Sequence, residues 1–139
     1  MLGAVLATAA GMDEAMVRQD GDVPTEVWAD DRGELGFRTL VGRSRSEPGP
    51  FTAGIADLAP GGWLGRHRHE QAEVYHVLRG RGTVTLGDRE VEVGPGSTVL
   101  VPGGTEHAVR AVGDEPFAVF YVLDAETFED VQYRFTDLD

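Results

Sequence analysis

The chain lacks two reactive residue types, cysteine and lysine. Its 139 residues contain no cysteine, which excludes disulfides, thiolate-bound zinc, iron–sulfur clusters and a thiol nucleophile. All twelve basic residues are arginine, so a lysine Schiff base and the aldolase or pyridoxal-phosphate chemistry that uses one are excluded. The formal net charge of −12 repels phosphate and anionic lipid, so we expect no nucleic-acid partner and no membrane partner.

A long hydrophobic run is also missing. The apolar start, MLGAVLATAA, is too short to span a bilayer and has no basic flank like that of a signal peptide. Met12 and Met16 leave open a start downstream of this segment, so whether residues 1–11 belong to the native protein is undecided. We expect a flexible or weakly helical leader over 1–24, a single domain with a short tail over 25–139, and a cytoplasmic protein.

Short β-rich runs divided by glycine and proline dominate the sequence after the leader. The run TVTLGDREVEV (83–93) predicts a hairpin that turns at Gly87-Asp88. Weak helix signals occur at 12–19 and 125–131. The tail could add an edge strand around Tyr133 and Phe135 or pack back on the barrel. Eight or nine strands separated by turns predict an all-β sandwich or barrel. The other strands are predicted at 25–28, 36–41, 51–60, 74–78, 97–102, 107–112 and 117–123.

Three of the four histidines lie within GGWLGRHRHEQAEVYHVLRG (61–80). His67 and His69 lie two apart, so on a strand they share one face and can chelate one ion. Glu73 follows six residues after His67, which on a straight strand is roughly 20 Å away. If Glu73 is a ligand, the chain must fold back near 70–72. We therefore expect a hairpin with the two histidines on one arm and Glu73 at the start of the other.

The fourth histidine, His107, opens the strand predicted after the turn PGGT (102–105). Three imidazoles and one carboxylate make a suitable set of ligands for one first-row divalent metal. Such a set does not choose between iron, manganese, nickel, cobalt, copper and zinc. It also leaves one or two coordination positions for water, a substrate or dioxygen.

The spacing of these residues resembles the two motifs of the cupin superfamily. The first motif is matched by Gly61, His67, His69, Glu73 and Gly80, and the second by Gly96, Pro102, Gly104 and His107. Ala111 stands where the second motif usually ends in asparagine, which is not normally a metal ligand. The resemblance implies a double-stranded β-helix (jelly-roll) barrel, usually dimeric. It also implies an internal metal held by His67, His69, Glu73 and His107.

Tyr75 lies two residues after Glu73 and shares its inward face on the predicted strand. A phenol close to a divalent cation can have a lowered pKa and act as a base. The alternative is an aromatic core residue whose hydroxyl finds a partner. The Glu-x-Tyr placement is similar to that of the cupin lyases that cleave dimethylsulfoniopropionate, although it is also common in other cupins.

Three further residues are candidates for a substrate pocket: Arg38, Trp63 and Tyr121. Arg38 could bind a substrate carboxylate with two parallel hydrogen bonds, or it could lie on the surface. Trp63 precedes the histidines and either walls the pocket or covers the barrel. His76 points away from Glu73 by strand alternation, which favours packing or a dimer interface.

Together these residues predict a mononuclear metal enzyme that acts on a small organic molecule, for which a carboxylate is the candidate class. Two chemistries remain open, namely a dioxygenase and a metal-assisted lyase or isomerase with Tyr75 as the base. The alternative class is a non-catalytic cupin that binds a metal and a small ligand as a sensor or binding protein. We expect a homodimer in either case.

Overall fold

The structure, a computed structural model, describes residues 14–136. This part of the chain is almost entirely β-structure, which confirms the predicted fold class. Two short 3₁₀ turns accompany the strands: Asp20–Asp22 precedes the first strand, and Phe128–Asp130 lies before the last one. The strands are β1 (Glu26–Asp30), β2 (Gly33–Val41), β3 (Thr52–Leu58), β4 (Trp63–Arg68), β5 (Glu73–Arg79), β6 (Arg81–Leu86), β7 (Arg89–Val93), β8 (Thr98–Val101), β9 (His107–Val112), β10 (Phe117–Leu123) and β11 (Arg134–Phe135).

All strand pairs in this sheet are antiparallel. The order is β7-β6-β9-β4-β2-β3-β10-β5-β8, with β1 added to β2 and β11 added to β4. Side chains from seven strands, β1 to β5 together with β9 and β10, line one interior cavity, so the sheet curls around it. No helical segment of the described chain is long and apolar enough to cross a membrane.

The apolar pattern of each strand agrees with its place in the sheet. The run FAVFYVL forms β10, which lies between β3 and β5 and buries both ends of the run, Phe117 and Leu123, completely. The predicted hairpin at Gly87-Asp88 is confirmed, because Leu86 pairs with Arg89 across the turn. The strand predicted at 117–123 is confirmed, and its near-continuous apolar run agrees with this buried central position.

The predicted hairpin between the histidine strand and the Glu73 strand is wrong. β4 pairs with β2, β9 and β11, whereas β5 pairs with β8 and β10. The connection between them is instead held by distant parts of the chain. The amide of Gly104 donates to the carbonyl of His69, and the amide of Asp124 donates to the carbonyl of Ala72. Glu73 therefore reaches the histidines across the barrel interior and not across a hairpin.

The segments before β1 and after β10 differ in how much regular structure they contain. The predicted leader begins outside the described residues, since 1–13 are not described, and residues 14–19 have no regular structure where a helix was predicted at 12–19. The segment 125–131 contains the 3₁₀ turn Phe128–Asp130, whose Asp130 amide donates to the side chain of Thr127. The predicted edge strand of the tail is present as β11, where Phe135 pairs with His67 of β4.

Two glycines with positive φ allow a matched test of this fold. Gly80 has φ +75°, and a Cβ there would lie 2.9 Å from Phe117 Cα and would clash with the carbonyl oxygen of Pro116. Gly87, at φ +61°, has nothing within 4 Å of the same position. Gly87→Ala should therefore cost only left-handed strain, about 1–2 kcal/mol of unfolding free energy. Gly80→Ala should cost about 1–3 kcal/mol more, because it adds a backbone clash. Urea unfolding followed by circular dichroism measures the free energy of unfolding of both variants. Equal losses of stability would contradict the close approach of Gly80 to the start of β10.

Candidate metal centre

Four polar side chains that the sequence singled out meet inside the barrel. His67 lies near the end of β4, His69 just beyond it, and Glu73 and His107 at the first residues of β5 and β9. His67 and His107 are paired across β4 and β9. Each of the four side chains is at most 5% exposed. The structure therefore brings together all four residues that the two motifs selected.

The distances within this cluster are those of groups that can share one ion. The ligand nitrogen atoms of His67, His69 and His107 lie within 4.8 Å of one another. Oε1 of Glu73 lies 3.3 Å from Nε2 of His69 and 3.4 Å from Nε2 of His107. The three imidazoles could hold a metal ion, and Glu73 stands beside two of them.

The backbone fixes which nitrogen of each imidazole faces the cluster. In all three histidines Nδ1 lies 2.7 to 3.0 Å from a carbonyl oxygen two residues away. A carbonyl oxygen only accepts hydrogen bonds, so Nδ1 carries the proton and Nε2 of the neutral ring keeps a free lone pair. The carbonyls belong to Gly65, Gln71 and Thr105.

This arrangement leaves polar atoms without partners. Nε2 of His69 and Nε2 of His107 are buried and have no hydrogen-bond partner among the described residues. Both face an oxygen of Glu73, and two lone pairs directed at a carboxylate repel it. A proton on either Nε2 would remove the repulsion, but it would make the ring a buried imidazolium because Nδ1 already donates. A divalent cation satisfies all of these atoms at once, so the residues present fit a metal.

The electrostatics of the site favour the protonation states that ligands need. Burial, with a further contribution from His107, lowers the pKa of His67 to about 3, so this ring is neutral at neutral pH. Burial alone would raise the pKa of Glu73, but hydrogen bonds and positive charge from His107 and His69, when their Nε2 atoms are protonated, outweigh this and lower it. A bound cation would take the place of those protons. A neutral imidazole and an ionised carboxylate are the forms that bind a metal.

A small cavity of about 50 Å³ adjoins the cluster. Its size admits a few water molecules or a very small organic molecule. Most of its wall is apolar or aromatic, and His67, Glu73, Tyr75, Tyr121 and Tyr133 supply its polar atoms. The remaining lining residues are Trp28, Leu35, Phe37, Ala56, Leu58, Leu64, Val109, Val119 and Phe128.

Of the three predicted pocket residues, Tyr121 lines this cavity. Arg38 and Trp63 are not among the described residues that line it. Each lies one position away from an inward residue of its strand, so its side chain points to the other face. Arg38 instead lies 3.3 Å from Asp57 and 3.6 Å from Asp20 in ion pairs on the outer surface.

Strand alternation places the side chains of β5 as predicted. Glu73, Tyr75 and Val77 are buried, whereas His76 is exposed and its Nδ1 lies 2.9 Å from Thr98 Oγ1. The ring of Tyr75 lies 6.4 Å from that of His107, between centroids. Burial and then the charge of Glu73 raise the pKa of Tyr75 well above its usual value. The protein alone therefore keeps this phenol protonated.

Two aromatic residues of the site were missed by sequence reasoning. The ring centroid of Tyr133 lies 4.9 Å from that of His67 and 5.4 Å from that of His69. The ring of Trp28, from β1, contacts Tyr133 edge-on at 5.2 Å. Alternation in the tail predicted a strand around Tyr133, but nothing local indicated that this strand would pair with β4.

Comparison with known proteins agrees with the fold and with the motifs. Residues 54–123 match the family described as the cupin domain. The chain belongs to the cupin family, and the resemblance drawn from the two motifs is confirmed.

Individual relatives have different chemistries. The chain is 36% identical over 104 residues to dimethylsulfoniopropionate lyase DddW of Ruegeria pomeroyi, a match that covers 75% of this chain and 68% of the lyase. It is 40% identical over 65 residues to acireductone dioxygenase of Rhodopseudomonas palustris, covering 43% of this chain and 39% of the dioxygenase. The structure of polyketide cyclase RemF from Streptomyces resistomycificus superposes with a TM-score of 0.73 at 24% identity, over 91% of this chain and 89% of that one. This last likeness shows the shared barrel.

The geometry predicts how single substitutions change metal binding. His67→Ala and His107→Ala should each reduce bound metal from about one ion per chain to near zero, because each removes a nitrogen that the others cannot replace. His76→Ala is the matched control, since His76 is exposed on the opposite face of β5 and should leave the metal content unchanged. Elemental mass spectrometry of the purified proteins measures this. Full occupancy in either of the first two variants would show that the ion is not held here.

Proposed function

We propose that this chain is a mononuclear metal lyase that eliminates a leaving group from the β-carbon of a small carboxylate. The first substrate to test is dimethylsulfoniopropionate. The observation that carries this proposal is the position of Tyr75, a phenol in the wall of a cavity that adjoins four clustered ligand side chains. The similarity to DddW, over 75% of the chain, supports the same chemistry.

In this proposal His67, His69, Glu73 and His107 hold one divalent ion. The ion supplies positive charge that polarises a carboxylate and lowers the pKa of a nearby phenol. Iron, manganese, nickel, cobalt, copper and zinc all suit three imidazoles and a carboxylate, so the metal is identified by analysis of the purified protein.

The role proposed for Tyr75 is that of the base. Its phenolate oxygen takes the proton from the carbon next to the carboxylate. The electron pair of that C–H bond forms the new double bond, and the C–S bond breaks. The thioether leaves with the electrons of the C–S bond, so the products are acrylate and dimethyl sulfide. No oxidant or reductant is consumed in this step.

The rest of the cavity wall suits a substrate with a sulfonium at one end. Aromatic rings attract cations through their faces, and Trp28, Phe37 and Phe128 line the cavity together with Tyr133. No arginine is found among the described residues of this wall, so no cationic side chain there repels a sulfonium. The neutral thioether that leaves is well solvated by apolar and aromatic side chains.

Replacement of the base tests this mechanism directly. Tyr75→Phe should keep the metal but lower the rate of dimethyl sulfide release at least about 100-fold, as expected for loss of a positioned base. Gas chromatography measures the product, and elemental mass spectrometry of the same samples controls for metal content. An unchanged rate would show that Tyr75 is a core residue and not the base.

A metal-dependent dioxygenase is the second candidate, and the match to acireductone dioxygenase is the observation that favours it. Reconstitution with ferrous iron, followed by oxygen consumption with a panel of small carboxylates and phenols, separates the two. Substrate-dependent oxygen uptake would favour the dioxygenase, and release of dimethyl sulfide without uptake would favour the lyase. Metal binding without any turnover would favour a sensor or binding protein. A homodimer and a cytoplasmic location remain predictions.

A further inference from the structure

A pair of buried hydroxyls stands at the cavity wall beside Tyr75. Oγ1 of Thr39, in β2, lies 2.8 Å from Oη of Tyr121, in β10. Both side chains are buried, with Thr39 fully enclosed. The two strands are not neighbours, because β3 runs between them.

Gly54 of β3 makes this contact possible. It is the register partner of Thr39 on one side and of Tyr121 on the other. A Cβ at Gly54 would lie 2.5 Å from Oη of Tyr121. Only a residue without a side chain lets the phenol of Tyr121 lie across the middle strand and reach Thr39. The contact between the two hydroxyls therefore depends on residues of three strands, β2, β3 and β10.

The hydrogen atoms of this pair do not all have acceptors. Two hydroxyls carry two hydrogens but form a single hydrogen bond, and neither has another partner in the described part of the chain. If Tyr121 donates to Thr39, the hydrogen of Thr39 is left buried without an acceptor, which is costly. If Thr39 donates to Tyr121, the phenol hydrogen is free on the side of the cavity, because Tyr121 lines the cavity and Thr39 does not. The second arrangement is the favoured one.

Tyr121 and the proposed base line the same cavity. Tyr121 and Tyr75 are direct partners across β10 and β5, and both side chains line the cavity. In the proposed elimination, the carbon that loses its proton is bonded directly to the carboxylate carbon. The group that takes the proton and the group that binds the carboxylate must therefore face one cavity, as Tyr75 and Tyr121 do.

We propose that Tyr121 binds one oxygen of the substrate carboxylate through its O–H, and that Thr39 orients it for this role. This inference rests on the proposed lyase function. No described arginine lines the cavity to bind the carboxylate instead, since Arg38 is in ion pairs on the outer surface. Burial raises the pKa of Tyr121, which keeps its hydrogen in place for donation.

The test uses propionate, which has the carboxylate of the proposed substrate and no leaving group. Its affinity for the metal-loaded protein is measured by isothermal titration calorimetry. Tyr121→Phe should weaken binding about tenfold or more, the effect of losing a hydrogen bond to a charged group. Thr39→Val should weaken it roughly threefold or more, because the phenol loses the hydrogen bond that orients it.

Thr52→Val is the matched control for Thr39→Val. Thr52 is also fully buried and its Oγ1 donates to the carbonyl of Ala125 at 2.8 Å, but it does not line the cavity. It should lower the unfolding temperature while leaving the affinity for propionate unchanged. Metal content is measured for every variant, so that damage to the metal site is recognised.

Three results would overturn the inference. The first is wild-type affinity for propionate in a metal-loaded Tyr121→Phe variant. The second is equal affinity in the Thr39→Val and Thr52→Val proteins, which decides the question even if Tyr121→Phe does not fold. The third is no binding of propionate by the wild-type metal-loaded protein.

Failure of the lyase proposal and failure of the Tyr121 assignment give different results. If the wild-type protein does not release dimethyl sulfide but binds propionate in a manner that depends on Tyr121, the carboxylate site stands without the elimination. If elimination occurs and Tyr121→Phe binds propionate normally, the elimination stands and the assignment of Tyr121 is wrong.

Discussion

The constraint on which the site depends is the burial of one carboxylate against imidazole nitrogens that carry no proton. Glu73 lies within 3.4 Å of Nε2 of both His69 and His107, and all three are shielded from water. Backbone carbonyls two residues away hold the Nδ1 protons and so prevent the rings from turning to relieve the repulsion. A divalent cation would resolve this conflict without leaving a buried imidazolium, so the residues fit an ion at this point.

Local patterns predicted most of the strands and the inward face of β5, because alternation is a property of consecutive residues. Pairing was not predictable in the same way. The turn after His69 suggested a hairpin, yet β4 pairs with β9 and β5 pairs with β10, which lie far along the chain. The four ligand candidates could be selected only because two spaced motifs fix them without any knowledge of pairing. Neither motif fixes Arg38 or Trp63. Each lies one position along its strand from a residue that lines the cavity, so its own side chain points to the other face.

The aromatic wall depends on a pairing between strands that lie far apart along the chain. β11 meets β4 through two residue pairs, Arg134 with Arg68 and Phe135 with His67. This short contact places Tyr133 against the imidazoles and against Trp28 of β1. The sequence of the tail predicts only an edge strand. Its contribution to the site depends on pairing with β4, which its own sequence does not indicate.

The ligands alone do not distinguish a lyase from a dioxygenase, since both chemistries use the same first-row ions. The charge of the site is more informative. A divalent ion with Glu73 as its charged ligand leaves one net positive charge inside a largely apolar wall, where an unbalanced charge is costly. A substrate carboxylate would offset this charge, and Tyr75, Tyr121 and Tyr133 supply hydroxyls among the residues of the cavity wall. A substrate whose carboxylate adjoins the reacting carbon would place its negative charge near the ion, and a sulfonium at its other end would face the aromatic rings.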